Sequence, residues 1–204
     1  MIVALSLGPS GSHQDYEPLK LLEDEILEHA GGWKRFRRDV PNLIRLAIDE
    51  VIDTERTGRF TVDELENIEK AYISNKVKML VFYYLQFDRG KVLDALVNGA
   101  EVGIGSTSGS HWLIPLEAVR HPYILVRHDE KTARCSIGLT IVKPSAVVRG
   151  LARNRPYVTL VRPQIPVRWM LRNEPYPMNP WEDAHANLGH LLGGPKISYG
   201  HAAF

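Results

Sequence analysis

The chain has 204 residues, 44% of them hydrophobic, and a formal net charge of +1 at pH 7. This length and composition predict a single domain over residues 1–204, and the apolar runs are too short for a transmembrane helix, so we expect no membrane partner. The one cysteine, Cys135, excludes an internal disulfide and is typical of a cytoplasmic protein; its strand-like surroundings favour a buried thiol over a nucleophile.

The first part of the chain, residues 14–86, is predicted to be helical. Apolar residues at helical spacing predict helices over residues 18–30, 42–52 and 61–85. Thr61 and Glu64 form a capping box at the start of the third of these helices. The basic run WKRFRRD between the first two is predicted to be a solvated turn anchored by Trp33 and Phe36.

The second part, residues 91–204, is predicted to form a sheet, because the hydrophobic period falls from about 3.6 to about 2. Strands are predicted over residues 91–97, 101–107, 111–114, 123–127 and 134–142. The Asn98-Gly99 pair predicts the turn of a hairpin between the first two strands. Short helical elements are predicted over residues 115–120, 145–156 and 181–192. Prolines between residues 156 and 180 predict that no other long element forms there.

Charge is distributed unevenly along the chain. Residues 14–70 contain 15 acidic and 9 basic side chains, whereas residues 120–172 contain 11 basic and 2 acidic ones. This separation favours a face that binds a polyanion. The alternative is that the two parts pack together and partly neutralise each other.

Two other motifs give weaker indications. The glycine-rich run GIGSTSGS lacks the Gly-Lys-Ser/Thr ending of a phosphate loop and is followed by a predicted strand, which argues against nucleotide binding. His185 and His190 are five residues apart, which is the wrong spacing for two metal ligands on one helix face, so we interpret them as surface or interface residues.

A long helix followed by an aspartate, an Asn-Gly turn and a second strand is the arrangement found in nucleases of the PD-(D/E)XK fold. The runs TERTGRF, IEKAYISNKVKM, RGKVLD, NGAEVGI, HWLIPLEAV, ILVRHDE and ARNR resemble, in the same order, the catalytic domain of the NaeI-type restriction endonucleases. The resemblance extends over about residues 49–172. It implies an α/β, restriction-endonuclease-like fold, with a central mixed β-sheet flanked by α-helices, that binds duplex DNA as a homodimer.

The same resemblance locates the family's catalytic positions. Asp94 matches the metal ligand on the first strand, whereas the acid of the helix falls on Lys78. The acid and the lysine of the second strand fall on Gly103 and Gly105. In the family the acids hold Mg²⁺ and the lysine positions the attacking water, and an ammonium in place of a carboxylate repels a cation. We therefore expect a DNA-binding protein that is not an enzyme and has no cofactor.

Two alternatives remain at this point. One is a metal-dependent endonuclease with a migrated active site that uses Asp94 and Glu101. The other is a structural or protein-interaction subunit whose basic part contacts another protein.

The duplex-binding hypothesis needs residues that contact phosphates and bases. Candidates for phosphate contacts are Arg149, Arg153, Arg155 and Lys143. Arg168 and Arg172 flank Trp169 in a basic and aromatic cluster. Candidates for facing the groove are Ser108, Ser110, His111 and Trp112, although Trp112 could equally be a core residue. Because arginine favours guanine, we expect the protein to bind C/G-rich sites. A further hypothesis is that it recognises 5-methylcytosine in these sites. We expect it to be associated with the nucleoid.

Overall fold

The computed structural model describes residues 13–152, 155–161, 166–179 and 181. Within these residues the helices are α1 (His13–His29), α2 (Trp33–Ile52), α3 (Thr54–Thr57) and α4 (Asn67–Leu85). The strands are β1 (Asp88–Arg89), β2 (Ala95–Val97), β3 (Ala100–Thr107), β4 (His111–Pro115), β5 (Pro122–Asp129), β6 (Arg134–Ile141), β7 (Val147–Ala152), β8 (Arg155–Val161) and β9 (Arg168–Pro175). Short 3-10 helices occupy Val62–Glu64, Leu116–Ala118 and Pro144–Ala146.

The strands form two sheets. The main sheet has six strands in the order β1-β2-β3-β5-β6-β9, and the second has three in the order β4-β8-β7. In the main sheet β3 and β5 are parallel and the other neighbours are antiparallel. The predicted α/β class, a mixed sheet flanked by helices, is confirmed. No helix in the described ranges is long and apolar enough to cross a membrane.

Alternation along the central strands separates two hydrophobic clusters. On one face of the main sheet, Ile104 and Ile124 pack in a large cluster with the buried side chains of α1, α2 and α4. On the other face, Tyr123 and Leu125 pack with Trp112 of the second sheet. Successive side chains of a strand point to opposite faces, so β5 contributes to both clusters.

Two predictions about the helices are wrong in detail. The basic run at residues 33–39 is the start of α2, not a turn, because Phe36 and Val40 extend the buried stripe of this helix towards its N-terminus. The capping box of Thr61 and Glu64 is present, but it begins a single 3-10 turn. The α4 helix starts only at Asn67, behind a second capping box formed by Glu66 and Glu69.

The secondary-structure predictions for the second part of the chain fail in three places. Residues 91–94 form bends, so β2 begins only at Ala95. The predicted helix over residues 145–156 is instead the hairpin of β7 and β8, in which Val147 pairs with Leu160. Strand β9 was not predicted, yet it is eight residues long, and of the prolines only Pro175, its last residue, lies within it. The predicted element over residues 181–192 lies outside the described residues apart from Trp181.

Candidate nucleic-acid interface

Lys78 and Asp94 form an ion pair at the base of the β2–β3 hairpin. Lys78 lies on α4 and its Nζ is 2.6 Å from Oδ1 of Asp94, with the two side chains 37% and 23% exposed. The other carboxylate oxygen of Asp94 accepts a hydrogen bond of 2.7 Å from the backbone N–H of Ile104 on β3. The aspartate is therefore fixed by both the helix and the strand, and its charge is balanced by the ammonium.

Gly103 and Gly105 face away from the helices, towards the ring of Tyr123 on the neighbouring strand β5. A Cβ atom at Gly103 would lie 2.1 Å from Cε2 of Tyr123, and one at Gly105 would lie 2.7 Å from Cε1. The close approach that these glycines allow is thus that of an aromatic side chain. Burial of the ring, together with the negative charge of Asp94, raises the pKa of Tyr123.

Glu101 holds the loop that precedes β2. Its carboxylate accepts hydrogen bonds from the backbone N–H groups of Lys91 at 2.8 Å, Val92 at 3.2 Å and Leu93 at 2.8 Å. These backbone hydrogen bonds, with those from Leu93 and Lys91 the strongest, lower the pKa of the Glu101 carboxyl. Both carboxylate oxygens are engaged in shaping the loop, which explains why residues 91–93 leave the strand.

The Mg²⁺ ion that the resemblance implies does not fit these residues. Both oxygens of Asp94 are engaged, one of them by an ammonium, and Glu101 is committed to backbone N–H groups. Among the residues that the structure describes, no three His, Cys, Asp or Glu side chains are grouped so as to hold a metal ion. Divalent cations of this kind need several free oxygen ligands.

Two basic residues of the second part are paired with acidic residues of α1. Lys143 forms an ion pair with Asp15, and Arg168 forms one with Glu23. The guanidinium of Arg168 also lies over a tyrosine ring of α1, 5.2 Å from its centroid. The charge separation seen in the sequence is therefore partly neutralised within the fold, as the alternative interpretation held.

The residues predicted to face the groove separate into two groups. Ser108 and Ser110 are exposed in the connection from β3 to β4, and His111 is exposed at the start of β4. The hydroxyl of Ser110 is 2.8 Å from Nδ1 of His111. Trp112 lies in the core instead: it is buried, and its indole N–H donates a hydrogen bond of 2.9 Å to the carbonyl of Val126.

The other residues predicted to contact DNA lie on β7, β8 and β9, apart from Arg153. Trp169 is partly buried against the second hydrophobic cluster, and Arg172 is exposed. The backbones of Arg149 and Arg155 lie on β7 and β8, in the second sheet. Arg153 lies outside the described residues.

Sequence reasoning missed the roles of two residues in this region, Glu101 and Tyr123. Glu101 was considered as a metal ligand, although an acid that follows a tight turn can also cap the preceding loop. Tyr123 lies about 20 residues from the glycines that it covers, and only the parallel pairing of Gly103 with Tyr123 brings them together.

A sequence model of the family described as restriction endonuclease NaeI matches residues 37–181, which include α4, the hairpin and the sheet. The chain belongs to the NaeI restriction endonuclease family. The Type II restriction enzyme NaeI of Lentzea aerocolonigenes is 27% identical over 103 residues, which cover 50% of this chain and 32% of that enzyme. The protein is thus related to NaeI, in a family of DNA-binding restriction endonucleases.

The expectation that the protein is not an enzyme is contradicted by these comparisons. The family is that of a restriction endonuclease, and the relative from Lentzea aerocolonigenes is a Type II restriction enzyme. The expectation relied on only three positions, Lys78, Gly103 and Gly105. Unfavourable residues at these positions do not show that the site is inactive.

Proposed function

We propose that this protein binds duplex DNA with the region that the family model matches. The observation that carries the proposal is membership in the NaeI family over residues 37–181. The excess of basic side chains in residues 120–172 supports it, because lysine and arginine contacts to backbone phosphates supply most of the affinity of a protein for DNA.

The pair of Lys78 and Asp94 contributes to this binding through its charge balance. A lone carboxylate at the base of the hairpin would repel a backbone phosphate. The ammonium of Lys78 neutralises the carboxylate of Asp94, and the Lys78 side chain is still 37% exposed. Lys78 is paired at a half-exposed position, where a phosphate can share its protons. A phosphate contact at this position needs no bound cation.

Base reading is assigned to the exposed connection between β3 and β4. Ser108, Ser110 and His111 offer exposed hydroxyl and imidazole groups. Arginine of the basic part favours guanine through O6 and N7, so we propose C/G-rich target sites. A 5-methyl group on cytosine adds apolar surface to the same groove edge, and burial of one methyl group contributes about 0.8 kcal/mol.

Fluorescence anisotropy with a labelled C/G-rich duplex tests the proposal. We expect saturable binding whose affinity falls steeply as salt increases, with a logarithmic slope of about −0.9 for each phosphate contacted. An A/T-rich duplex of the same length should bind more weakly, and a 5-methylcytosine duplex about fourfold more tightly than its unmethylated form. Absence of duplex binding at low salt would disprove the proposal, and equal affinities would disprove only the sequence and methyl preferences.

We propose further that two copies of the chain act together as a homodimer. Two-fold assemblies are the commonest among oligomers, and two copies on one duplex would contact two half-sites. Light scattering coupled to size-exclusion chromatography, with and without the duplex, gives the stoichiometry. A monomer on the duplex at every concentration would contradict this part of the proposal.

Endonuclease activity is a second candidate function, favoured by the relative that is a Type II restriction enzyme. Asp94 is the one position of the family motif that carries the motif's residue in this chain. Incubation of supercoiled plasmid with Mg²⁺ or Mn²⁺ tests this candidate. Cleavage that disappears in Asp94→Asn would support it, whereas cleavage that survives this substitution would identify a contaminant.

A further inference from the structure

A polar cavity of about 340 Å³ opens at the end of β5 and the start of β6. Its lining residues are Arg127, Asp129, Thr132, Arg134, Ser136 and Asn173. Arg127 follows Tyr123 and Leu125 at alternate positions along β5, so the cavity lies on the face of the main sheet away from the helices. None of the DNA-binding residues predicted from the sequence is among the residues that line it.

Strand register brings the polar groups of the cavity together. In the antiparallel pairing of β5 with β6, Arg127 lies opposite Ser136 and Asp129 lies opposite Arg134. Residues directly opposite each other on one face of a sheet have adjacent side chains. Two guanidinium groups, one carboxylate and one hydroxyl therefore share a small area of the surface.

An irregularity between β6 and β9 completes the cavity. The register shifts between Cys135 and Ile137, and Asn173 adopts a left-handed backbone conformation with φ of 55°. The N–H of Asn173 donates a hydrogen bond of 2.9 Å to the hydroxyl of Ser136, and its carbonyl accepts one of 3.1 Å from Nη1 of Arg134. The bulge thus fixes the direction of the Arg134 side chain, and bulges often redirect side chains at functional sites.

The guanidinium groups of the cavity have unused hydrogen-bonding capacity. Nε of Arg127 is buried and has no hydrogen-bond partner in the described part of the chain. Within the same ranges, neither Arg127 nor Arg134 has a carboxylate within 4.0 Å, and Oδ1 of Asp129 accepts a hydrogen bond from the N–H of Lys131. A partly buried guanidinium without a counter-charge is unfavourable, and a ligand with charged oxygens would supply one.

We propose that this cavity binds one phosphodiester group of a nucleic-acid backbone. The two arginines and Asp129 give the lining a net charge of +1, which matches the single negative charge of a phosphodiester better than a dianionic phosphate monoester. No aromatic side chain belongs to the six described lining residues, so the cavity offers no surface on which a base could stack. The proposal rests on duplex binding as the proposed function, and it assigns a phosphate contact to residues outside the Lys78–Asp94 pair.

Duplex affinity in matched variants tests the proposal. Arg127→Gln and Arg134→Gln should each weaken binding to a C/G-rich duplex about tenfold and reduce the magnitude of the salt slope by about 1. Arg56→Gln is the control: it removes the same charge from an exposed side chain of α3 that is paired with Asp53, and we expect the affinity to stay unchanged. Wild-type affinity and salt slope in both cavity variants would overturn the proposal and leave duplex binding intact.

A small probe separates this proposal from the proposed function. Dimethyl phosphate is a monoanionic diester, and we expect it to shift the NMR resonance of the Arg127 Nε–H saturably in the wild type and not in Arg134→Gln. Such a shift in a protein that binds no duplex would keep the cavity and overturn the proposed function. Tighter binding of inorganic phosphate than of dimethyl phosphate would overturn the diester assignment, as would the absence of any shift. Arg134 is exposed, so its variant keeps the test valid if Arg127→Gln unfolds.

Discussion

The two faces of the six-stranded sheet differ in how their arginine side chains are partnered. On the helix face, Arg45 is only 7% exposed and lies 2.7 Å from a carboxylate oxygen of Asp49 and 2.7 Å from one of Glu130. On the opposite face, Arg127 is partly buried too, yet it has no ion pair within the described ranges. The same kind of side chain has its charge balanced by two carboxylates in one layer and has no described ion pair in the other.

This difference shows which charges serve stability and which serve binding. A buried guanidinium held by two carboxylates has its charge balanced within the fold, and its removal leaves the two carboxylates without a counter-charge. A guanidinium with free donors in a polar cavity adds little to folding and is suited to an anion. Unfolding and duplex binding can therefore be measured separately on the two faces.

Arg45→Met should have the largest effect, on stability alone. The substitution leaves the carboxylates of Asp49 and Glu130 without their cation in a partly buried layer, which we expect to lower the free energy of unfolding by about 4 kcal/mol. Urea denaturation measures this change, and the duplex affinity of the folded variant should equal that of the wild type. Arg56→Met, at a side chain that is 83% exposed, should change stability very little. Similar small losses in both variants would break the contrast between the faces.

Gly103→Ala should have the next largest effect, from the opposite face. Its Cβ would lie 2.1 Å from the Tyr123 ring, which is itself buried and cannot move away freely. We expect a loss of about 3 kcal/mol from overpacking, measured by thermal or urea unfolding. Gly109→Ala is the control, because the nearest atom to its Cβ would be Oγ1 of Thr107 at 3.6 Å. Equal stability of the two variants would contradict the tight contact with the ring.

His128 gives the helix face a dependence on pH. It is buried, neither ring nitrogen has a hydrogen-bond partner in the described residues, and burial lowers its pKa to about 4 against the weaker opposing effect of Glu130 and Asp129. The unfolded chain takes up a proton near pH 6.5, whereas the folded chain does so only near pH 4. Acidification from pH 7 to pH 5 should therefore lower the free energy of unfolding by about 2 kcal/mol.

Comparison with His128→Leu isolates this contribution from that of the carboxyl groups. The difference in unfolding free energy between wild type and variant should change by the same amount over this pH range. A difference that is independent of pH would show that His128 is not the group responsible.

Lys78→Met should have the smallest effect, and on binding rather than stability. Loss of one half-exposed charge beside Asp94 should weaken duplex binding about fivefold, the equivalent of about 1 kcal/mol. Lys76→Met is the matched control, since Lys76 lies on the same helix and is also ion-paired, with Glu50 of α2, but its side chain is only 20% exposed. If the two variants bind equally well, Lys78 does not belong to the interface.

Local signals in the sequence predicted those parts of the fold that neighbouring residues determine. The hairpin at Asn98-Gly99 forms as predicted, with φ of 51° and 78° at the two turn residues. Strands β5 and β6 lie within two residues of their predicted bounds. Strand β9 was missed because prolines were taken as breakers throughout residues 156–180, whereas residues 168–174 contain none.

The site was less predictable because contacts distant in sequence build it. The positions of Asp94 and Lys78 followed from the family motif, but the hydrogen bond from Ile104 and the ring of Tyr123 depend on the pairing of strands. The cavity at Arg127 depends on a register shift that no local pattern announces. The ion pairs of Lys143 with Asp15 and of Arg168 with Glu23 likewise join residues more than 100 positions apart, which the sequence alone does not show.

The route of the chain between β3 and β5 ties the two sheets to each other. These strands are parallel neighbours in the main sheet, yet the residues that connect them contain β4, which pairs with β8 in the second sheet. Formation of the main sheet therefore also fixes the position of β4 in the second sheet. The partner of β4, strand β8, is more than 40 residues further along the chain. Contacts this distant in sequence slow folding, because the loop must close before the contact contributes any energy. The β2–β3 hairpin can form early from its own turn, whereas the hydrophobic cluster of Trp112, Tyr123 and Leu125 is completed only when both sheets have met.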